Sequence, residues 1–380
     1  MASRPVRIAN VSGYLGDRYT AVDEAMAGDP VDVLMGDYLA EITLAALAAA
    51  AGRGGPGYVA YALDQLTPAP ARDRPPRGPG RHQRRRVRPG RDGAGAARPD
   101  RGGGLSLRVA HVAGDGVFDR LADFHADGHG LEHLDTGAPL KDWGFAPITA
   151  NAYLGGFGIA AALAAGADVV VTGRVTDASL TAGPAAWWQG WGPDDVDALA
   201  GAVTAGHVIE CGAHATGGNF SGFRSVPGML RPGFPIAEVA ADGSSVITKH
   251  ARDGGTVTVD TVTAQLLYEI QGPRYLNPDV TVHLDTVRLS QEGPDRVAIG
   301  PVTGSPPPPT AKVAVFAPSA TRSPRCCSAP LPTSRARWSC CCATSCARRW
   351  RATSTLWRSP RSVSRRSTRR PSGRRPSRSG

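Results

Sequence analysis

Short apolar runs alternate with helix-like stretches through the first two hundred residues. Arg7–Val11 and Val31–Met35 are apolar runs that end in Gly-containing turns, Ser12-Gly13 and Gly36-Asp37. Their length and lack of polar alternation predict buried strands. Tyr38–Ala51, rich in Ala and Leu with Glu41 near its positive end, predicts a helix opened by Asp37. Leu107–Val112 and the β-branched run Asp168–Thr172 predict further strands, and the small-residue run Gly156–Ala165 predicts a helix. Thr176 and Asp177 are placed to cap the helix that follows. Apolar strands alternating with helices predict an α/β fold with a largely parallel, Rossmann-like sheet; a (β/α) barrel is the alternative. In open sheets of this kind ligands bind at the carboxyl ends of the strands.

After about residue 206 the pattern changes. Pro235–Ala240, Ser245–His250 and Thr256–Asp260 read as strands joined by Asp242-Gly243 and Asp253-Gly254-Gly255 turns. Val262–Ile270 reads as a helix, and Val280–Leu284 and Lys312–Phe316 as strands. The expected organisation is one N-terminal domain over residues 1–317, with an α/β part (1–205) and an α+β part (206–317).

Composition changes this picture in two places. Residues 318–380 contain sixteen Arg and fourteen Ser but no Asp, Glu or Lys, and they hold six of the seven cysteines. Residues 65–104 hold eleven Arg against Asp73, Asp92 and Asp100. These stretches contribute +16 and +8 to a net charge of +10, which leaves −14 on the other 277 residues. The overall basicity therefore gives no support to nucleic-acid or membrane-surface binding by the rest of the chain. Both stretches have the composition of GC-rich DNA translated out of frame. Arg81–Asp92 has one encoding that, read from its second base, gives Val-Thr-Asn-Ala-Gly-Gly-Ser-Asp-Pro-Ala-Gly, a strand end and glycine turn. The expectation is a frame-discordant segment at 65–104 and a disordered, non-native tail after 317, in a product of reduced stability. Outside the tail only Cys211 remains, too few for an internal disulfide, which fits a reducing cytoplasm. No apolar run approaches the ~18 residues of a membrane span, and Met1–Arg7 lacks a signal-peptide hydrophobic region.

Four segments carry candidate chemistry. In the turn after the first strand, Asp17 and Arg18 either satisfy each other or contact a polar ligand; the segment lacks G-x-G-x-x-G, so it does not identify a dinucleotide site. Asp37 is either a helix cap or a general base. Arg174 and Asp177 form either a structural pair or an anion site at a helix start. Gly206–Phe220 is the most loaded segment. His207, Cys211 and His214 could ligate zinc with Glu210 as base, although H-x₃-C-x₂-H is not a familiar zinc spacing. Cys211 could instead be a nucleophile paired with a histidine, or a small buried residue. Gly217, Gly218 and Asn219 read as a loop offering backbone N–H groups to a ligand.

Taken together, these phrases resemble the acyclic terpene utilisation (AtuA-type) family. The matching runs are Asn10–Arg18, Gly36–Glu41, Ala150–Gly155, Gly166–Ser179, Gly206–Phe220, Gly233–Glu238, Val246–Lys249 and Thr261–Ile270. An Asn-Ala-Gly-Gly phrase of the family is absent as written and falls where the alternate frame restores it. His214 departs from the pattern, in which Gln fits that position. The resemblance implies a cytoplasmic bacterial protein of citronellol and geraniol breakdown, a route through branched acyl-CoA intermediates. It implies a CoA ester or carboxylate as substrate, with no cofactor or metal required by the sequence. A neighbouring acyl-CoA carboxylase or hydratase is the candidate partner if the chain is instead a non-catalytic binding subunit; no nucleic acid or membrane is expected as partner. The expected activity is hydratase- or lyase-like, with Asp37, Glu210 and Cys211 as catalytic candidates. Asp17, Arg18, Asn151, Arg174, Asp177, Gly217, Gly218 and Asn219 are the expected substrate-binding set. The alternatives are a non-catalytic binding subunit and an inactive frameshifted product.

Overall fold

The computed structural model describes residues 4–14, 16–38, 40–66 and 107–317, and the backbone of 353–356. In chain order the first half gives β1 (Val6–Ser12), α1 (Ala21–Met26), β2 (Val33–Gly36), α2 (Glu41–Ala51) and α3 (Ala60–Leu66). Then follow β3 (Val109–Val112), α4 (Leu121–Ala126), β4 (Thr149–Ala152), α5 (Phe157–Ala164), β5 (Val169–Thr172), α6 (Ser179–Gln189) and α7 (Val196–Ile209). The second half gives β6 (Pro235–Val239), β7 (Ser245–Lys249), α8 (Val259–Leu266), β8 (Arg274–Leu276) and β9 (Thr281–His283). It ends with β10 (Leu289–Gly293), β11 (Arg296–Ile299), β12 (Gly304–Ser305), β13 (Lys312–Phe316) and β14 (Thr353–Leu356).

The largest sheet runs β10-β11-β7-β6-β1-β2. Only β1 and β2 are parallel in it; the other four junctions are antiparallel. A separate two-stranded sheet, β3-β5, is parallel, and β12-β9-β8 and β14-β13-β4 are antiparallel. The fold is therefore mixed α/β, and the expected largely parallel sheet is corrected. Tight turns join β6 to β7 and β10 to β11, and a tight turn returns the chain antiparallel. The β6–β7 turn is built on Gly243 at φ +82°, with Ala240 N–H donating to the Ser244 carbonyl at 2.8 Å. The order runs from β10 to β2 without closing, so the described strands do not form a barrel.

Helix α7 sets the core. Its residues Leu199–Ile209 are all buried, as expected of a helix that is apolar on every side. It packs with α6 against Val6, Ile8, Ala237, Val239, Ile247, Val297 and Ile299 of the sheet. Each Ile or Val removed from water contributes roughly 1.5–3 kcal/mol. Close approach depends on glycine: a Cβ on Gly201 would overlap the Gly243 carbonyl, and one on Gly206 would meet the Ala178 carbonyl at 2.5 Å.

Other expectations shift locally. Helix α2 starts at Glu41, with Ala40 as N-cap, so Asp37 does not open it. Thr256–Asp260 is not a strand. Thr258 caps α8 through a reciprocal pair, its hydroxyl accepting from Thr261 N at 3.2 Å while Thr261 Oγ1 accepts from Thr258 N at 2.9 Å. That local pairing prevails over the period-two pattern of the threonines and valines.

The two discordant stretches also sharpen. Gln65, expected to begin the first one, is fully buried in α3. Its amide donates to the Val11 carbonyl at 3.3 Å and the Arg18 carbonyl at 2.9 Å, and Tyr38 Oη donates to its Oε1 at 2.5 Å. Gln65 is thus packed as an ordinary part of the fold; the rest of the stretch expected to be frame-discordant lies outside the described residues. Most of the tail expected to be disordered also lies outside them, except that 353–356 form β14 against β13. Among the described residues no helix is long and apolar enough to cross a membrane.

Two outcomes follow for stability. Gly201→Ala destabilises by roughly 1–3 kcal/mol through overpacking, whereas Gly272→Ala, in open space, changes little; urea unfolding separates them. Gln65→Ala costs about 1–3 kcal/mol by leaving buried carbonyls without a donor, and an unchanged melting curve would return Gln65 to the expected discordant stretch.

Candidate active site

Parallel strand ends bring the first group of residues together. β1 ends at Ser12, and Asp37 N–H, just past β2, donates to the Ser12 carbonyl at 2.8 Å. β5 leads through Gly173 to Arg174. The Arg174 backbone N–H donates to Asp115 Oδ2 at 2.9 Å, and Asn151 Nδ2 donates to the same oxygen at 2.8 Å. Asn151, expected to bind substrate, instead orients the carboxylate that fixes Arg174.

The Arg174 side chain is 4% exposed, with Nη1 2.5 Å from Asp177 Oδ1 and Nη2 3.8 Å from Glu41 Oε1. Its guanidinium lies 4.3 Å from the Tyr153 ring centre. Burial opposes its charge, but Asp177, Glu41 and Asp37 outweigh that and raise it above the usual arginine value. Lys312, at the start of β13, reaches the same place: Nζ lies 4.5 Å from the Tyr153 ring and 3.7 Å from Glu41 Oε1. The strand ends thus collect two cations, Tyr153 and the carboxylates of Asp37, Glu41 and Asp177.

Behind Asp177 lies a second, buried group from the end of α7. Asn10 on β1 donates its amide to the Glu210 carbonyl at 2.9 Å and ties this helix end to the sheet. A Cβ on Gly13 would overlap the Cys211 and Gly212 backbone, so the turn after β1 lies directly on the segment. His207 Nδ1 is 3.1 Å from Glu210 Oε1, with side chains 2% and 3% exposed. Burial first, then Asp177 and Glu269, push the Glu210 carboxyl well above its usual range, against a smaller opposing effect of Arg174. Burial lowers His207, while Glu269 and Asp177 act in the other direction. Asp177 faces both groups and links the buried pair to the strand ends.

Several expected roles change. Burial, Glu210 and Glu269 push the Cys211 thiol up, which opposes the thiolate that a nucleophile requires. His207 lies against the Tyr275 ring at 5.4 Å, whereas His214 faces the Tyr268 ring at 5.6 Å. Among the described residues no group of three or more His, Cys, Asp or Glu is arranged to hold a metal. The Gly217, Gly218 and Asn219 N–H groups donate to the His214, Ala213 and His214 carbonyls at 3.1, 3.0 and 3.2 Å. They close a 3₁₀ turn, with Gly217 at φ +120°, and are not offered to a ligand. The Asn219 amide donates to Gln265 Oε1 at 3.1 Å. Asp17 and Arg18 do not satisfy each other by a hydrogen bond. Asp17 accepts from Gly13 N–H at 2.8 Å, and Arg18 Nε pairs with Glu24 Oε2 at 2.6 Å while its guanidinium lies over Phe234. Burial raises Asp17 despite that hydrogen bond.

Sequence reasoning missed Glu41 as a partner of Arg174, and it missed Tyr153, Lys312 and Glu269 as members of the site. Tyr153 lies within a phrase already singled out. Lys312 begins a strand about 140 residues after Arg174, and no local pattern links them.

No curated protein and no solved structure matches the chain. A family profile described as "Acyclic terpene utilisation family protein AtuA" matches residues 6–72 and 96–344. The unmatched interval, 73–95, lies inside the arginine-rich internal stretch, while the match runs past residue 317 into the tail. The chain belongs to the acyclic terpene utilisation family, and its role lies in the use of acyclic terpenes.

Proposed function

We propose that the chain is an enzyme acting on a branched, unsaturated terpenoid acyl-CoA or carboxylate, adding or removing water at a carbon–carbon double bond. The observation that carries this reading is Glu210, a carboxyl that burial, Asp177 and Glu269 push well above its usual range, beside the Arg174–Asp177 ion pair. A carboxyl held neutral is a general acid, and a half-buried carboxylate at a strand end, Asp37, is its complement as base. In the hydration direction Asp37 takes a proton from water as the water oxygen bonds to one alkene carbon. Glu210 gives its proton to the other carbon. The proton on Asp37 leaves to solvent, and Glu210 regains one through the substrate site once product has left, so the net change is addition of one water. The anionic or carbonyl end of the substrate meets Lys312, which is 39% exposed, because Arg174 is already committed to Asp177 and Glu41.

The test is turnover of geranyl- or isohexenylglutaconyl-type CoA esters by the full chain. Glu210→Gln and Asp37→Asn each reduce turnover by about 10²–10⁴-fold, and Lys312→Met raises KM more than it lowers kcat. Unchanged turnover in both carboxyl variants would overturn the acid and base assignment. Binding of the ester without turnover by the unaltered chain would favour a binding subunit serving a neighbouring acyl-CoA carboxylase or hydratase.

A second reading has its own support. The family match omits 73–95, within the stretch whose alternate frame spells a strand end and glycine turn. On this reading the chain is a frameshifted product with impaired activity. Resequencing the coding DNA from the codon for Gln65 to that for Gly104 tests it; a confirmed uninterrupted frame would remove it.

A further inference from the structure

Tyrosine is unevenly spread along the chain: five of its eight, Tyr14, Tyr19, Tyr38, Tyr58 and Tyr61, fall in the first 66 residues. The fold gathers four of these beside the ends of β1 and β2. Tyr14 comes from the turn after β1, Tyr19 from the approach to α1, Tyr38 from the residue after Asp37, and Tyr61 from α3. A Cβ on Gly36 would meet the Tyr38 ring at 2.6 Å, so glycine there lets the ring lie on the end of β2. The Tyr38 hydroxyl donates to the buried Gln65 amide oxygen, which turns the polar tip of the side chain into the protein. The Tyr61 ring meets Tyr38 near edge-on at 6.3 Å between centres, and the Tyr19 ring follows Tyr61 at 4.6 Å, tilted. Tyr14 is close enough for its hydroxyl to bear on that of Tyr61.

Exposure rises along this row. Tyr61 is 9% exposed and Tyr38 half-buried, whereas Tyr19 and Tyr14 are 48% and 59% exposed. Packing accounts for the inner two rings. It does not account for the outer two, whose apolar area stays in water beside a candidate site and is there to be covered. The charges around the row bear on what covers it. Asp17 bears on both Tyr38 and Tyr61, and Asp37 adjoins Tyr38 in the chain. Arg18, the cation of this turn, is held by Glu24 and lies over Phe234. A carboxylate or phosphate placed along the row would meet the two acids without a free cation from this turn, whereas an uncharged chain meets no such opposition. The exposed cation of the strand ends, Lys312, stands instead with Glu41 and the Tyr153 ring.

We propose that the row Tyr38–Tyr61–Tyr19–Tyr14 is the subsite for the branched hydrocarbon tail of the substrate, and that the outer rings, Tyr19 and Tyr14, set its preference for chain length. This rests on the reading of the strand ends as the place of a terpenoid ester. The tail lies against the rings while the ester end reaches Lys312, and the chain passes Asp37, whose neighbour Tyr38 begins the row. A short acyl chain meets only the inner rings, and a long one covers the outer pair as well.

The test measures equilibrium binding by the full chain and needs no turnover. The probes are saturated CoA esters, from isobutyryl-CoA to the ester of fully hydrogenated geranic acid, with free CoA as control; none has a double bond to hydrate. With the unaltered chain, Kd falls roughly two- to fourfold for each methylene that the rings cover. Tyr14→Ala and Tyr19→Ala, both at exposed positions where truncation leaves the core intact, weaken the longest ester roughly 5- to 10-fold. They leave isobutyryl-CoA within about twofold, and Tyr19→Phe keeps the long-chain affinity because the ring and not the hydroxyl makes the contact. An equal loss for short and long esters, or an unchanged long-ester Kd in the double alanine variant, would overturn the proposal. So would failure of the unaltered chain to bind the longest ester, or weaker binding of free CoA by the variants, which would put the nucleotide end on the rings. The hydration reading fails separately: binding that depends on chain length, without turnover of the unsaturated ester, keeps the subsite and removes the acid and base roles.

Discussion

Arg174 is the constraint on which the site depends. A guanidinium does not deprotonate in a protein, so burying one obliges the fold to bring acids to it. Asp177 answers from the next turn and Glu41 from the start of α2, while Tyr153 covers the cation with its ring face. Removing one partner of such a pair costs about 3–5 kcal/mol, because the remaining charge stays in place. Asp115 and Asn151 hold the Arg174 backbone, so the end of β5, the edge of β4 and the start of α2 are registered by one cation.

That arrangement has an electrostatic consequence deeper in the fold. Asp177, drawn in to neutralise Arg174, stands beside the end of α7 and adds its field to that of Glu269 on Glu210. Helix α7 is packed closely there, with Gly201 and Gly206 setting its backbone against Gly243 and Ala178. A carboxyl buried there and facing two acids is pushed well above its usual range. The ion pair at the strand ends and the raised carboxyl behind it thus arise from one packing decision.

Local features of this design were legible in the sequence. β1, β2, β5, β6, β7 and β13 lie close to where their apolar runs placed them, although β5, expected to be buried, leaves Val171 exposed. Arg174, Asp177, Asp37 and Glu210 stood out as charges set in small or apolar text. The sheet's pairing was not legible, since a strand's pattern says which residues are buried and not which neighbour they meet. The same limit hid Glu41, Tyr153 and Lys312 as partners of Arg174. It also let Gly217-Gly218-Asn219 read as a ligand loop: glycines that free N–H groups for a ligand and glycines that close a 3₁₀ turn look alike until the acceptors are known.

The charge partition and the site geometry bear on substrate choice together. Outside the two arginine-rich stretches the chain carries −14, a poor surface for an anionic ester at long range. Arg174 cannot compensate, because two acids and an aromatic face already surround it. Lys312, anchored by Glu41 and the Tyr153 ring yet open to solvent, is the cation that an incoming carboxylate or thioester carbonyl can reach.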